Sequence, residues 1–192
     1  MLSKNNQGLY NSSFEHDACG VALVATLNKT PTYKIVASGL EALRNLEHRG
    51  ASGSEPDSGD GAGILIQIPD DFYRQVVDFE LPKQGFYGVG IVFLPKDESE
   101  YKEAKEKINS VAKLEDITIL GWRDVPTNPN EIGQTAQRVM PRFEMIFIQP
   151  TNKKLSDIDL DRAIYPFRKI VENSSTAYFA SLSARSVVTK EC

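Results

Sequence analysis

Cys19 is the residue whose neighbours best suit it to chemistry. It follows the polar stretch Phe14-Glu15-His16-Asp17-Ala18 and precedes Gly20-Val21 and the apolar run Ala22-Leu23-Val24-Ala25. A polar stretch, a small residue, Cys-Gly and then an apolar run predict a leader over residues 1–18, removed to expose Cys19 as a new N-terminus. A cysteine there carries its own base, because a free α-amino group titrates near about pH 8 and can take the thiol proton. The alternative is a small buried residue at the start of a strand. Gly20 favours chemistry, since a backbone without Cβ lets a substrate approach the thiol.

Three further clusters invite roles. Leu46-Glu47-His48-Arg49-Gly50-Ala51 closes a predicted helix. Its composition suits a helix end, where His and Arg favour the macrodipole and Gly terminates the turn. In a functional role, Arg49 points into the site and fixes the nucleophile's surroundings. Gly59-Asp60-Gly61-Ala62-Gly63 lacks the lysine and following helix of a phosphate loop. It reads better as a tight turn packing two backbones beside the nucleophile, with Asp60 accepting N–H groups to shape the loop and Gly61 allowing close approach. Gly121-Trp122-Arg123-Asp124-Val125-Pro126 reads as a structural strand end.

The elements that must position these groups follow from pattern. Residues 21–27 and 64–68 read as strands, the second buried, and 33–46 as a helix with Val36, Leu40, Leu43 and Leu46 on one side. Residues 47–61 form a Gly/Ser/Asp/Pro-rich loop. An acidic first turn after Pro69 predicts a helix over 70–79. Residues 86–94 are the strongest strand, and Gly88 and Gly90 within it suggest a bulge or close backbone approach. A charged helix over 97–113, strands over 117–122 and 143–148, and a loop over 126–133 follow. Ser156-Asp157 can cap a helix running to about residue 173, with Ile158, Ile164, Phe167, Ile170 and Val171 inward. Residues 177–182 and 186–189 read as a closing hairpin through Ala184-Arg185, a weak turn signal. Adjacent strand pairs mixed with helices predict an α+β layered architecture rather than a doubly wound sheet.

Composition narrows the function classes. The chain has 192 residues, 25% charged, with a net charge of −4. No basic stripe argues for nucleic acid, and no apolar run approaches the ~20 residues of a membrane span. Asn5-Asn6-Gln7 and Asn11-Ser12-Ser13 occupy the place of a secretory signal's apolar region, which predicts a cytoplasmic protein. Cys19 and Cys192 could pair on count alone, which a reducing compartment disfavours. Two cysteines with His16 and His48 show no metal-ligand spacing, so no metal is expected.

Asp17 to Val21, Leu46 to Ala51, Gly59 to Ile64, Gly121 to Asn128 and Pro141 to Ile148, with the leader Gln7 to Asp17, resemble the N-terminal part of glutamate synthase large subunits. The resemblance covers nearly the whole chain. It implies a leader over 1–18 and, over 19–192, the N-terminal part of a class II glutamine amidotransferase domain. The implied fold is the four-layer αββα sandwich of the N-terminal-nucleophile hydrolases, incomplete in this chain. Cys19 would attack the side-chain amide of L-glutamine, with Gly20, Arg49, Asp60 and Gly61 supporting. No cofactor is implied for this segment; FMN and an iron–sulfur cluster are implied for the complete subunit. The implied partners are the remaining domains of the large subunit and a small electron-transfer subunit.

Departures from the family are mild at Ala22 and around Ser52-Gly53-Ser54. A larger one is that no Asn-Gly pair occurs in the 192 residues. In the family the Asn-Gly oxyanion donors and a substrate-binding arginine come later, so residues 1–192 alone are expected to be inactive. The alternatives are a non-catalytic fragment or relic of the domain, and another class II amidotransferase such as the amidophosphoribosyltransferase type.

Overall fold

The computed structural model describes residues 20–28, 30–46, 61–152 and 154–189. Cys19, Arg49, Asp60, Cys192, the leader and nearly all of the 47–61 loop lie outside the described residues. The chain divides into two units, 1–60 and 61–192.

In the first unit, α1 spans Tyr33–Asn45, with Arg44 in its last turn. Val36, Leu40 and Leu43 line one side and are half-buried, as expected from their spacing. The strand expected over 21–27 is not formed. Residues 20–26 are irregular, and Val21, Leu23 and Leu27 are 92%, 91% and 100% exposed. Apolar alternation supplies a strand's faces but not its ladder, and no described strand pairs with this segment.

The second unit is built on an antiparallel sheet of β3 (Ile117–Asp124), β4 (Arg142–Pro150), β2 (Gly88–Leu94) and β5 (Tyr178–Ser183), in that spatial order. The central pair places Ile91 opposite Met145 and Gly90 opposite Ile146. Successive side chains leave opposite faces of a strand, and here both faces are covered. On one face Val92, Leu94, Ile146 and Ile148 meet α3 (Glu98–Leu114) and α5 (Asp157–Ser174) in a fully buried cluster. On the other, Val89, Ile91, Met145 and Phe147 form a second cluster with Tyr73, Tyr87, Ile68 and Val187. Double coverage explains why β2 and β4 read as continuous apolar runs.

Both helices follow their sequence signals, with two corrections, the first being that Ser156 precedes α5 without a side-chain capping hydrogen bond. Asp97 caps α3, its carboxylate accepting from the Ser99 and Glu100 amides at 2.9 and 3.0 Å. Ala104, Ile108, Val111 and Ala112 form its buried side. In α5 the buried stripe is Leu160, Ile164, Phe167 and Val171. Ile158, expected inward, is 45% exposed. It lies two residues from Leu160, hence on the opposite side of a 3.6-residue helix. The glycine signal in β2 is met at Gly90, where a Cβ would lie 2.6 Å from the Ser181 carbonyl oxygen. The adjoining ladder shifts register between Ile91 and Val92.

The expected closing hairpin is corrected. β5 pairs with β2, whereas β6 (Ser186–Thr189) pairs antiparallel with β1 (Ile64–Gln67) as a separate two-stranded ribbon. Ser183 to Ser186 is therefore a corner between sheets. β1 is also less buried than its apolar run suggested. Ile64 and Ile66 are half-buried while Leu65 is 67% exposed, because a ribbon with one covered face buries alternate residues. α2 begins after Pro69 but ends at Val76, where Val77 turns extended. The expected 126–133 loop holds a single 3-10 turn over Pro129–Glu131, followed by an unanticipated short helix α4 (Gln134–Val139).

Candidate active site

The two described members of the predicted site are Gly20 and Gly61, one in each unit. A Cβ at Gly20 would lie 2.9 Å from Leu46 Cδ2 and 3.1 Å from its Cβ. The close approach that Gly20 permits in this structure is thus made by Leu46. That contact ties the backbone following Cys19 to the residue preceding Glu47-His48-Arg49. Gly61 is exposed and leads through Ala62 and Gly63 directly into β1. Ile66, on the covered side of β1, pairs with Val187 and packs on the second cluster.

The Gly121-Trp122-Arg123-Asp124 motif serves structure. A Cβ at Gly121 would overlap the ring of Phe79, so glycine admits that ring against β3. Trp122 leaves toward the helix face, where Lys105 Nζ sits 3.1 Å from its ring centroid. The same ammonium donates to Glu144 Oε2 at 2.7 Å, and the Tyr101 hydroxyl donates to Glu144 Oε1 at 2.7 Å. Glu144 is 6% exposed, so both carboxylate oxygens are satisfied in a place where an unpaired charge would be costly. Burial pushes the Lys105 ammonium down despite the pull of Glu144. Burial and the Glu144 hydrogen bond push the Tyr101 hydroxyl up to about 12.

A second polar knot anchors α2. The Arg74 Nε donates to Asp70 at 2.8 Å, and the Tyr87 hydroxyl donates to the same carboxylate at 2.7 Å. Arg74 also donates to the carbonyls of Leu81 and Pro82. Burial alone would raise the Asp70 carboxyl, but Arg74 and Tyr87 outweigh it and hold it below the usual range. Among the described residues, no group of three or more His, Cys, Asp or Glu is placed to hold a metal ion. No described helix is long and apolar enough to cross a membrane.

Sequence reasoning missed Asp161 on α5. Its carboxylate accepts from the Ala184 amide at 2.6 Å and from Arg185 Nε at 3.0 Å. An aspartate near a helix start reads as a surface charge favouring the dipole, and nothing in its spacing points to a corner 23 residues away.

Comparison with known proteins agrees with the motif resemblance. Residues 19–192 match the family described as "Glutamine amidotransferases class-II". The chain is 43% identical over 190 residues to the "Glutamate synthase [NADPH] large chain" of Bacillus subtilis (strain 168), covering 96% of this chain and 12% of that protein. It is 38% identical to the "Ferredoxin-dependent glutamate synthase, chloroplastic" of Oryza sativa subsp. japonica, covering 92% of this chain and 12% of that protein. It is 36% identical to the "Ferredoxin-dependent glutamate synthase 2" of a Synechocystis strain, with the same two coverages. The chain therefore spans about 12% of the length of these curated relatives. The extent of the family match decides the assignment: this chain belongs to the class II glutamine amidotransferases.

Proposed function

We propose that residues 19–192 belong to the glutaminase part of a glutamate synthase, which releases ammonia from L-glutamine through a Cys19 thioester. The observation that carries this reading is the family match, which begins at Cys19 and leaves residues 1–18 outside it. Removal of those residues gives Cys19 the free amine its chemistry needs. The amine takes the thiol proton while Sγ attacks the side-chain amide carbon of glutamine. The carbon–nitrogen bond then breaks, the proton passes to the departing nitrogen, and ammonia leaves a γ-glutamyl thioester. Water hydrolyses that ester, yielding glutamate and the free thiol.

Gly20, Arg49, Asp60 and Gly61 take substrate-binding or supporting roles in this proposal. The Gly20–Leu46 contact supports the place given to Arg49, three residues beyond Leu46. The β1–β6 ribbon supplies two strands of the second sheet of an αββα sandwich. Support comes from the stacking of helices, four-stranded sheet and ribbon through two apolar clusters. The ammonia serves glutamate synthesis by the remaining domains of a large subunit, which carry FMN and an iron–sulfur cluster and work with a small electron-transfer subunit. A cytoplasmic location is part of this proposal.

The test is Cys19→Ser in a polypeptide of glutamate synthase length that carries this segment. Glutamine-dependent turnover is expected to fall by several orders of magnitude, while ammonia-dependent turnover persists. Survival of the glutamine-dependent reaction would end the proposal. Equal loss of both reactions would mean that the substitution acts on folding.

A further inference from the structure

We propose that Arg123 and Tyr73 form a binding niche between β3 and α2 for a carboxylate carried on a short apolar stem.

Packing accounts for Gly121 and Trp122 in the Gly121-Trp122-Arg123-Asp124 motif, but not for Arg123. Trp122 leaves toward the helices, so Arg123 leaves by the opposite face of the sheet. It stands opposite Met145 on β4. Phe147, two residues along the same face, lies opposite Gly121 and holds Tyr73 edge-on at 5.1 Å. Arg123 and Tyr73 thus stand over neighbouring positions of β4, about 7 Å apart along the strand.

Two polar groups come together here without a good partner. Arg123 is half-buried, and a guanidinium carries five N–H donors. Among the described residues, it meets Met145 Sδ at 3.8 Å and the Phe72 ring at 5.8 Å from the centroid. A thioether is a weak acceptor. By contrast, Arg74, Arg142, Arg168 and Arg185 each hold a carboxylate within 3.0 Å. Asp124, the next residue, acts instead on Lys105 and Tyr101 at the helix face. Tyr73 is 3% exposed, and its hydroxyl has no hydrogen-bond partner among the described residues. Burial pushes that hydroxyl up, against the pull of the Arg123 charge. A buried hydroxyl without an acceptor is uncommon.

The group that completes the niche accepts from both side chains. A carboxylate does so, since its two oxygens match the guanidinium fork and keep a lone pair for the Tyr73 hydroxyl. One arginine balances one negative charge, which suits a carboxylate better than a phosphate dianion. The Phe72 ring beside the guanidinium is 49% exposed and offers apolar surface to a stem. A free short-chain acid and the glutamate side chain of a polypeptide share this chemistry.

The test follows the Met145 methyl signal of the 192-residue chain by NMR while butyrate is added at constant ionic strength. A saturable shift is expected, with a Kd on the order of 1 mM, and the neutral analogue butyramide should give none. Arg123→Lys loses the planar fork and should weaken binding about tenfold. Tyr73→Phe keeps the ring and should weaken it by about three- to tenfold. Arg123→Gln should abolish it. The Val89 and Ile146 amide signals show that each variant keeps its fold. No saturable shift, equal binding of butyramide, or unchanged affinity in Tyr73→Phe or Arg123→Gln would overturn the inference. A capped peptide with one glutamate among alanines separates the two sources. Binding at least as tight as butyrate assigns the carboxylate to a polypeptide side chain, weaker binding assigns it to a free acid, and either supports the niche.

Discussion

β4 and β1 are both apolar strands of antiparallel pairs, yet they differ in what holds them. β4 is buried without interruption from Glu144 to Pro150, whereas β1 alternates half-buried and exposed residues. β4 lies between two partner strands and two apolar clusters. β1 has one partner strand and one covered face. A strand closed on every side is fixed by its own packing. A strand closed on one side takes its position from whatever holds its end, and for the ribbon that is the corner at Ser183 to Ser186. The four-stranded sheet and the ribbon therefore draw their stability from different sources within the second unit.

Phe147→Ala should show the largest stability effect of this contrast. The ring is fully buried and meets Tyr73 and Phe79 edge-on at 5.1 and 5.3 Å. Loss of about 3–5 kcal/mol is expected in denaturant unfolding. A loss under about 1 kcal/mol would mean that the second cluster is not a packed core. Gly121→Ala should come next, at about 1–3 kcal/mol, since the new methyl group displaces Phe79. A neutral outcome would show that Phe79 leaves the sheet readily.

Acid stability gives a smaller, pH-limited effect. Asp70 is held below its usual range in the folded chain, so its stabilisation is present above the unfolded carboxyl value near about pH 4 and fades as pH falls through the folded value. Asp70→Asn should therefore flatten the stability profile below about pH 4 relative to the native chain. An unchanged acid slope would contradict the Asp70–Arg74–Tyr87 knot. The smallest effect belongs to the exposed face of β1. Leu65→Thr should alter stability by no more than about 0.5 kcal/mol, and a loss comparable to Phe147→Ala would mean that this face is covered.

What could be read from sequence follows the same division. β2, β4, α3 and α5 announce themselves because double coverage and amphipathic stripes leave strong periodic patterns. The corner at Ala184-Arg185 looked like a hairpin because sequence reports a turn but not which strand each arm pairs with. α4 is six residues long, with a glycine at its cap and no acidic first turn, so nothing marks its start. Ile158 departs from its expected side because it lies two residues before Leu160 on α5, just after Asp157, whose φ of +49° lies outside the helical region. Gly121 reads as structural in the sequence, but its reason, the Phe79 ring against β3, is visible only in the fold. Cys19, Arg49 and Asp60 stand out by their local residue context and by family resemblance. Their spacing has no periodicity that physics could convert into a place.

The central claim is that Cys19, freed at its amine, forms a thioester with glutamine. The most direct measurement is peptide mass analysis of the glutamate-synthase-length polypeptide, quenched in acid during glutamine turnover. The account predicts an N-terminal peptide that begins at Cys19 and carries a γ-glutamyl group removable by hydroxylamine. Ammonia release from a polypeptide that still begins at Met1, or whose Cys19 never carries that group, would contradict it.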